Sequence, residues 1–214
     1  MHTKEAVKRG VVLNGGFFLM GLGVAMATNA GLGTSPISSP PLVLMKIFGL
    51  TLGTFTFLQN AAMVAMQKGI LGKAFPRRNL LQLLAVIPFC IYIDICMLLT
   101  QWLITDNYPY KILIICLGAA IMGLGIALEL AAGLIVVPGE GLVMAIAMRW
   151  HLAIGRVKVL FDSTLVIIAC LLSFACLGEL VGVREGTALY ALLVGTVLRF
   201  CAPLDAPLNR WMSR

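Results

Sequence analysis

Residues 16–36 read GFFLMGLGVAMATNAGLGTSP, and residues 118–138 read GAAIMGLGIALELAAGLIVVP. Shifting the first stretch by 102 positions, without a gap, matches ten of its 21 residues with the second. The matched residues of the first copy are Gly16, Met20, Gly21, Leu22, Gly23, Ala25, Ala30, Gly31, Leu32 and Pro36. An internal repeat of this size in an apolar chain is typical of two structural halves that enclose a site at their interface. The repeat therefore predicts a transporter or a channel.

The composition is that of a membrane protein. Hydrophobic residues make up 60% of the 214, charged residues make up 12%, and the mean hydropathy is +1.00. Soluble domains carry about a quarter charged residues, so a soluble fold is excluded. The net charge of +7 fits the Lys and Arg of cytoplasmic loops, and we expect the lipid bilayer, not nucleic acid, as the partner of this chain. The six cysteines lie in apolar segments without a CxxC pattern, so we predict no disulfide, metal site or cofactor.

Apolar segments recur eight times along the chain, and two of them are short. They cover roughly 10–29, 35–49, 53–70, 79–104, 110–131, 137–150, 157–178 and 185–203. Because a residue before proline avoids the helical region, Pro40 and Pro41 predict that the second segment becomes helical only near Ser39 or Pro40. About ten helical residues span about 15 Å, which is half of a bilayer core. The second and sixth segments therefore predict two re-entrant half-helices in equivalent places.

Charge fixes the number of full spans. With six spans and both termini in the cytoplasm of a bacterium, the inner loops hold twelve basic residues and the outer side holds Lys46, Lys111 and Arg184. With eight spans, the basic loop from Lys68 to Arg78 would lie outside, against the positive-inside rule. Three spans in each repeat require the halves to insert with opposite orientations.

The predicted fold class is an all-α polytopic membrane protein built from two inverted repeats. The first repeat covers residues 1–105 with a re-entrant segment at about 31–50, and the second covers 106–214 with a re-entrant segment at about 133–152. We expect the two loop tips to meet near the middle of the bilayer, where only protein or water can satisfy non-helical backbone.

Three motifs resemble a known family. They are Gly-Leu-Gly-x-Ala, then Ala-Gly-Leu-Gly-x-x-Pro, and then Pro138-Gly139-Glu140-Gly141. With Val183–Thr187 and Leu192–Gly195, they resemble the YczE-like bacterial integral membrane proteins, which are distantly similar to the YitT-like family. The resemblance covers nearly the whole chain and supports a membrane fold. The family pattern has Gly after Ala-Gly-Leu in both copies, whereas this chain has Ile135 in the second.

Polar residues inside the predicted bilayer are the candidate site, because such residues are costly there and often functional. Glu140 begins the second short helix and either caps it or accepts a proton or cation. Its counterpart is Ser38, and that loop also contains Thr34, Ser35 and Ser39. These hydroxyls either cap the first short helix or bind a solute held at its end.

Further candidates lie on the long segments. Glu129 replaces Ala27 of the first copy and lies either in the bundle interior or at the cytoplasmic interface, and Asn29 lies in the equivalent region of the first half. Asn60 and Asp162 match at the same offset, which suggests a shared structural role, with proton coupling as a second option for Asp162.

Asp94 and Arg199 align at an offset of 105, when the last helices are matched through Cys96 and Cys201. Two inverted helices that cross near the pseudo-axis would bring these opposite charges together as an ion pair or gate. The alternative for Arg199 is a side chain that reaches the inner surface of the membrane.

Three functions fit these features. The first is a small secondary transporter that moves a small polar or amphipathic solute across the cytoplasmic membrane, with or without proton coupling. The second is a channel or passive pore for an anion or neutral solute, since helix N-termini carry partial positive charge. The third is a non-transporting substrate-binding subunit of a larger complex. No catalytic constellation occurs, so we expect no enzyme activity, and the mass of 23.0 kDa makes a homodimer plausible.

Overall fold

The computed structural model describes residues 3–213 and is all-helical over that range, without strands. Its nine α-helices in this range are α1 (Thr3–Ala30), α2 (Ser39–Phe48), α3 (Leu52–Leu71), α4 (Leu81–Leu99), α5 (Tyr108–Ala132), α6 (Pro138–Trp150), α7 (Ile154–Leu177), α8 (Glu185–Cys201) and α9 (Asp205–Ser213). The helical prediction is confirmed. The limits of the two predicted repeats stay a prediction, and residues 1, 2 and 214 lie outside the described range.

Four helices are long and apolar enough to cross a membrane. They are Lys4–Ala30, Arg77–Leu99, Tyr108–Ala132 and Ile154–Leu177, and the bent pair Glu185–Cys201 and Ala206–Met212 would make a fifth. Length and apolarity thus mark four or five of the six expected spans. The remaining one, α3, has 20 residues and includes Gln59, Asn60 and Gln67, whose polar side chains reduce its mean hydropathy.

The two short helices begin where the sequence predicts. α2 starts at Ser39, directly before Pro40 and Pro41, and its ten residues end at Phe48. Gly49 caps the helix in a left-handed conformation with φ 74°. α6 starts at Pro138 and has 13 residues. Pro suits the first turn of a helix because its missing N–H would have no partner there.

Glycines bring α1 and α5 into backbone contact. A Cβ atom on Gly16 would lie 2.8 Å from the carbonyl oxygen of Gly125, and a Cβ atom on Gly23 would lie 2.7 Å from that of Gly118. Only glycine permits so close an approach of two helices. Gly125 is the repeat counterpart of Gly23, and Gly118 is the repeat counterpart of Gly16. The contacts therefore occur in reversed order along the two helices, so α1 and α5 run antiparallel.

The two halves repeat most of each other's helix packing, both within a half and between halves. α1 packs on α4 as α5 packs on α8, and α2 packs on α7 as α6 packs on α3. The correspondence fails at one place: α3 packs along α4, whereas the part of the chain that the structure describes has no comparable packing of α7 on α8. Only 17% of the most apolar stretch of α7 is buried, against 56% for α1.

Contacts between the loops define two ends of the molecule. At the Arg9 end, Arg9 Nη1 donates to the Ala132 carbonyl at 2.9 Å, and Lys8 Nζ donates to the Trp211 carbonyl at 3.1 Å. At the Arg184 end, Gly186 N donates to the Leu32 carbonyl at 2.9 Å, so α8 begins where α1 ends. α2 ends at the Arg184 end and α6 at the Arg9 end, since cavities at those ends are lined by Lys46 and Arg149.

Candidate functional site

The tips of the two short helices meet beside α1, α3 and α5. A Cβ atom on Gly139 would lie 2.6 Å from Ile37 Cδ1, so the tip of α6 is in contact with the turn that precedes α2. Beside this contact lies a central cavity of about 50 Å³. Its lining combines apolar and polar side chains from both halves: Met20, Val24, Ile37, Ser38, Thr56, Gln59, Asn60, Phe89, Met122 and Val137.

The predicted hydroxyl residues divide into two roles. Ser35 Oγ donates to Ser38 Oγ at 2.8 Å and accepts from Ser38 N at 3.3 Å, so Ser35 caps the turn at 36–38. Ser39 Oγ donates to the Ser35 carbonyl at 3.0 Å, and Thr34 Oγ1 accepts from Thr28 Oγ1 at 3.4 Å. Among these hydroxyl residues, Ser38 lines the central cavity. The other three hold the loop together.

Each loop is held by the opposite half of the chain. Leu32 and Leu134 are repeat counterparts. The Leu32 carbonyl accepts a hydrogen bond from the start of α8, and the Leu134 carbonyl accepts one from the region just before α4. Gly186 N donates to the Leu32 carbonyl at 2.9 Å, and Arg78 Nη2 donates to the Leu134 carbonyl at 3.2 Å. The carbonyl groups of Leu32 and Leu134, which lie in non-helical backbone, thus both have a donor from the other half.

Two glutamines of α3 support both tips, and sequence reasoning missed them. Gln59 Nε2 donates to the Ile37 carbonyl at 2.7 Å, and Gln67 Nε2 donates to the Pro138 carbonyl at 3.0 Å. Gln67 also bonds Gln82 Oε1 at 3.0 Å. The sequence contained a signal for them, because Gln59 and Gln67 are polar residues within an apolar segment. Their repeat counterparts, Phe161 and Ala169, are apolar.

Asn60 and Asp162 occupy equivalent places in different surroundings. Asn60 is buried, donates to the Thr56 carbonyl at 2.8 Å and lines the central cavity. Asp162 Oδ1 lies 3.2 Å from Lys158 Nζ, which lies 3.7 Å from Glu140 Oε1. The offset of 102 relates Ser38, Thr56 and Asn60, here called the neutral triad, to Glu140, Lys158 and Asp162, here called the charged triad. Lys158 was missed as a site residue because the charge count assigned it to a loop.

Burial separates the triads as well. All three residues of the neutral triad are buried. In the charged triad, the exposed fractions of the side chains are 45% for Glu140, 36% for Lys158 and 29% for Asp162. In the first half, Phe89 of α4 helps to close the cavity over α3. Because α8 does not pack on α7 in this way, the charged triad stays partly open.

Glu129 and Asn29 both lie where a spanning helix ends beside a loop. Glu129 is 3% exposed and accepts a hydrogen bond from Val137 N at 3.1 Å, so it holds the second loop from the bundle interior. Asn29 donates to the Thr100 hydroxyl at 2.8 Å and to the Met97 carbonyl at 3.2 Å, which joins α1 to α4.

The predicted pair of Asp94 and Arg199 is wrong. Asp94 Oδ1 accepts from Gly53 N at 2.7 Å, and Asp94 Oδ2 accepts from the Thr51 hydroxyl at 2.7 Å. Asp94 therefore binds the N-terminus of α3, whose free N–H groups favour a carboxylate. Arg199 is exposed in the last turn of α8, at the opposite end of the molecule.

Larger cavities lie at the two ends. A cavity of about 880 Å³ at the Arg9 end reaches Gln82, Gly141 and Met144. A cavity of about 490 Å³ at the Arg184 end reaches Asn29 and Leu42. Leu42 and Met144 are repeat counterparts, so equivalent faces of α2 and α6 line cavities at opposite ends. Between them, the tips and the small central cavity separate the two ends.

The polar groups of the central cavity are suited to hydrogen bonding with a neutral solute. Hydroxyl and amide side chains can both donate and accept, and none of the cavity-lining residues carries a charge. Within residues 3–213, no group of three His, Cys, Asp or Glu side chains is arranged to hold a metal ion.

Comparison with known proteins agrees with a membrane fold. An uncharacterized protein of Haemophilus influenzae is 31% identical over 185 residues, which cover 85% of this chain and 78% of that protein. The uncharacterized membrane protein YczE of Bacillus subtilis is 27% identical over 201 residues, which cover 94% of this chain and 88% of that protein. No solved structure matches this chain. A family model matches residues 7–203, and with a YczE-like relative along nearly its whole length, this membrane protein belongs to the family of unknown function DUF6198.

Proposed function

We propose that this protein is a small secondary transporter for a small polar solute, with the solute site in the central cavity. In this proposal the chain crosses a bacterial cytoplasmic membrane six times and carries two re-entrant half-helices, with the Arg9 end in the cytoplasm. It performs no chemistry on its solute and binds no nucleic acid. The observation that carries the proposal is the meeting of α2 and α6 tip to tip, with a cavity at each end of the molecule.

The antiparallel contact of α1 and α5 supports an inverted repeat. These helices have matching sequences, and Gly16 and Gly23 contact Gly125 and Gly118 in reversed order. If two equivalent helices both cross a bilayer in opposite directions, then the halves to which they belong are inverted. Such halves can exchange conformations and expose a shared central site alternately to each side.

The distribution of basic residues supports the orientation. The Arg9 end includes Lys8, Arg78 and Arg149, which lie in contacts or cavities at that end. Basic residues collect on the cytoplasmic side of membrane proteins. A tag inserted at Lys73 is expected to be cytoplasmic, and the same tag at Asp106 is expected to be outside the cell. Equal accessibility of both tags from outside would contradict the six-span arrangement.

The size of the central cavity favours a carrier over a pore. A volume of about 50 Å³ holds a few water molecules at most and does not connect the two end cavities as an open channel would. The closed centre represents an occluded arrangement, and movement of one half against the other would open it to one end at a time. We expect planar bilayers containing the purified protein in potassium chloride to show no unitary currents.

Accessibility of the centre tests alternating exposure without knowledge of the solute. Ser38→Cys, in a background whose six cysteines are replaced, is expected to react with a membrane-impermeant maleimide in both cells and inverted vesicles. Val43→Cys is the matched control, because Val43 is fully buried on α2 and lies outside the cavity linings described above. We expect no reaction of the control from either side. Reaction of Ser38→Cys from one side only would contradict transport through this site.

A further inference from the structure

The charged triad has one cation between two carboxylates. Lys158 Nζ lies 3.7 Å from Glu140 Oε1 and 3.2 Å from Asp162 Oδ1. Two carboxylates and one ammonium leave a net charge of −1. One lysine therefore cannot neutralise both acids at once.

The triad lies deep in the bilayer if α6 is a half-helix. Ten residues separate Glu140 from Trp150, the last residue of α6, and they span about 15 Å at 1.5 Å per residue. This length equals half of a hydrocarbon core of about 30 Å. An uncompensated negative charge at that depth is costly, and binding one positive charge removes the cost.

One atom of the triad is short of a hydrogen-bond donor. Asp162 Oδ1 is shielded from solvent, and no described residue donates a hydrogen bond to it. Lys158 Nζ lies 3.2 Å from this oxygen as an ion-pair partner and forms no hydrogen bond with it. An ionised carboxylate can only accept hydrogen bonds, so a shielded oxygen without a donor costs more in the ionised state than in the protonated state.

The helices packed against α6 and α7 carry few charged residues. Glu129 of α5 is the other carboxyl group whose charge interacts with Glu140. α2 and α3 also pack against α6 or α7, and each carries one charged residue, Lys46 or Lys68, in its last turn. Those last turns lie near the ends of the molecule. No further cation from these helices is placed to cancel the net negative charge.

We propose that Glu140, Lys158 and Asp162 bind the coupling proton of the transporter, at a site separate from the central solute cavity. The proposal rests on the proposed function and adds the coupling ion to it. Binding adds one proton to a carboxylate of the triad and changes its net charge from −1 to 0, and release reverses that change. The neutral triad holds the equivalent place in the first half but has no group that can exchange a proton near neutral pH. One half thus binds the solute and the other binds the ion.

Infrared spectroscopy of the reconstituted full chain tests proton binding directly. As the pH falls from about 8 to about 5, we expect a protonated-carboxyl band to appear, because burial and a second carboxylate favour the neutral acid. The double variant Glu140→Gln/Asp162→Asn is expected to weaken this band. The matched control Glu179→Gln/Glu185→Gln changes two exposed carboxylates and is expected to keep it. A band of unchanged size in the first double variant would overturn the proposal.

Lys158→Met gives a second measurement on the same site. Without the ammonium, two facing carboxylates repel each other, and we expect the carboxyl band to be present already at about pH 8. Absence of the band at that pH, in a variant that still purifies as the parent protein does, would count against shared proton binding by the triad.

Coupling is tested by the labelling rate of Ser38→Cys in the same pH range. The rate is divided by that of Ala74→Cys, an exposed loop position, because maleimide chemistry itself depends on pH. We expect the ratio to change at least several-fold with pH in the parent background and to be constant in Glu140→Gln/Asp162→Asn. A constant ratio in the parent would overturn coupling. Failure of the proposed function would instead appear as one-sided labelling of Ser38→Cys at every pH, while the infrared band persisted.

Discussion

The pair α3 and α4 and the pair α7 and α8 come from equivalent parts of the repeat, yet only the first pair is packed together. Asp94 of α4 binds the backbone N–H of Gly53 at the start of α3. Their counterparts are Arg199 and Gly155, and the Cβ position of Gly155 has no neighbour within 4 Å. A helix N-terminus attracts a carboxylate and repels a guanidinium. The closed first pair thus has a carboxylate at the N-terminus of its first helix, whereas the open second pair has a cation at the aligned position.

The same difference extends to the triads at the centre. The closed pair covers Ser38, Thr56 and Asn60, which carry no charge and can be buried at low cost when hydrogen-bonded. The open pair leaves Glu140, Lys158 and Asp162 partly exposed, which suits the proton exchange that we propose for them. Duplicated halves can thus share a backbone arrangement and differ in chemistry.

The largest expected effect concerns the contact that both halves share. Gly16→Leu places a side chain against the Gly125 backbone, where even a Cβ atom would lie at 2.8 Å, and should destabilise the protein by about 3 kcal/mol or more. Gly15→Leu is the control, since its Cβ would meet nothing within 4 Å. Thermal unfolding in detergent checks both variants. Equal melting temperatures would contradict the close packing of α1 on α5.

Exchanging the chemistry of the triads gives the next effect. Asn60→Asp puts a carboxylate without a cation into the buried neutral triad and is expected to cost about 3 kcal/mol. Asp162→Asn makes the reverse change at a partly exposed position and is expected to cost at most about 1 kcal/mol. The difference in unfolding free energy between the two variants is the measurement. Similar costs would mean that the two surroundings are alike.

The amide support of the tips should give a smaller loss. Gln67→Leu removes the donor to the Pro138 carbonyl and leaves Gln82 and Asn79 without their buried partner, at a cost of about 2 kcal/mol. Gln101→Leu, at an exposed position, is the control and should change the unfolding free energy little. Chemical denaturation in mixed micelles measures both. A loss no greater than that of the control would show that the tip of α6 does not depend on α3.

The smallest effect tests the charge that separates the helix pairs. Asp94→Ala removes the carboxylate that binds Gly53 N and the Thr51 hydroxyl at the N-terminus of α3 and should cost about 1 kcal/mol. Arg199→Ala changes an exposed side chain and should cost within about 0.5 kcal/mol. Because the two residues lie at opposite ends, the double variant should be additive in melting experiments. A coupling free energy above about 0.5 kcal/mol between the two substitutions would indicate that Asp94 and Arg199 interact, contrary to the structure.

The parts of the structure that follow from the sequence are those that local chemistry decides. Pro40, Pro41 and Pro138 fixed where the short helices begin, and Gly49 ends the first of them. The repeat predicted a pair of Asp94 and Arg199 that does not form. When matching helices run antiparallel, two aligned residues lie at opposite ends of the molecule unless both are near its centre. The prediction from the sequence also missed Gln59 and Gln67, which act on both loops although they come from one half.

The sequence by itself determined that this is an all-helical membrane protein with a repeated half, since apolar run length, proline position and glycine pattern act over a few residues. Only the tertiary structure decided that Ser38, Thr56 and Asn60 share a cavity while Glu140, Lys158 and Asp162 stay partly open. That outcome depends on two packing arrangements: α4 covers α3, whereas α8 does not cover α7 in the same way. Such coverage arises from contacts between residues about forty positions apart, such as Asp94 and Gly53, which no local pattern encodes.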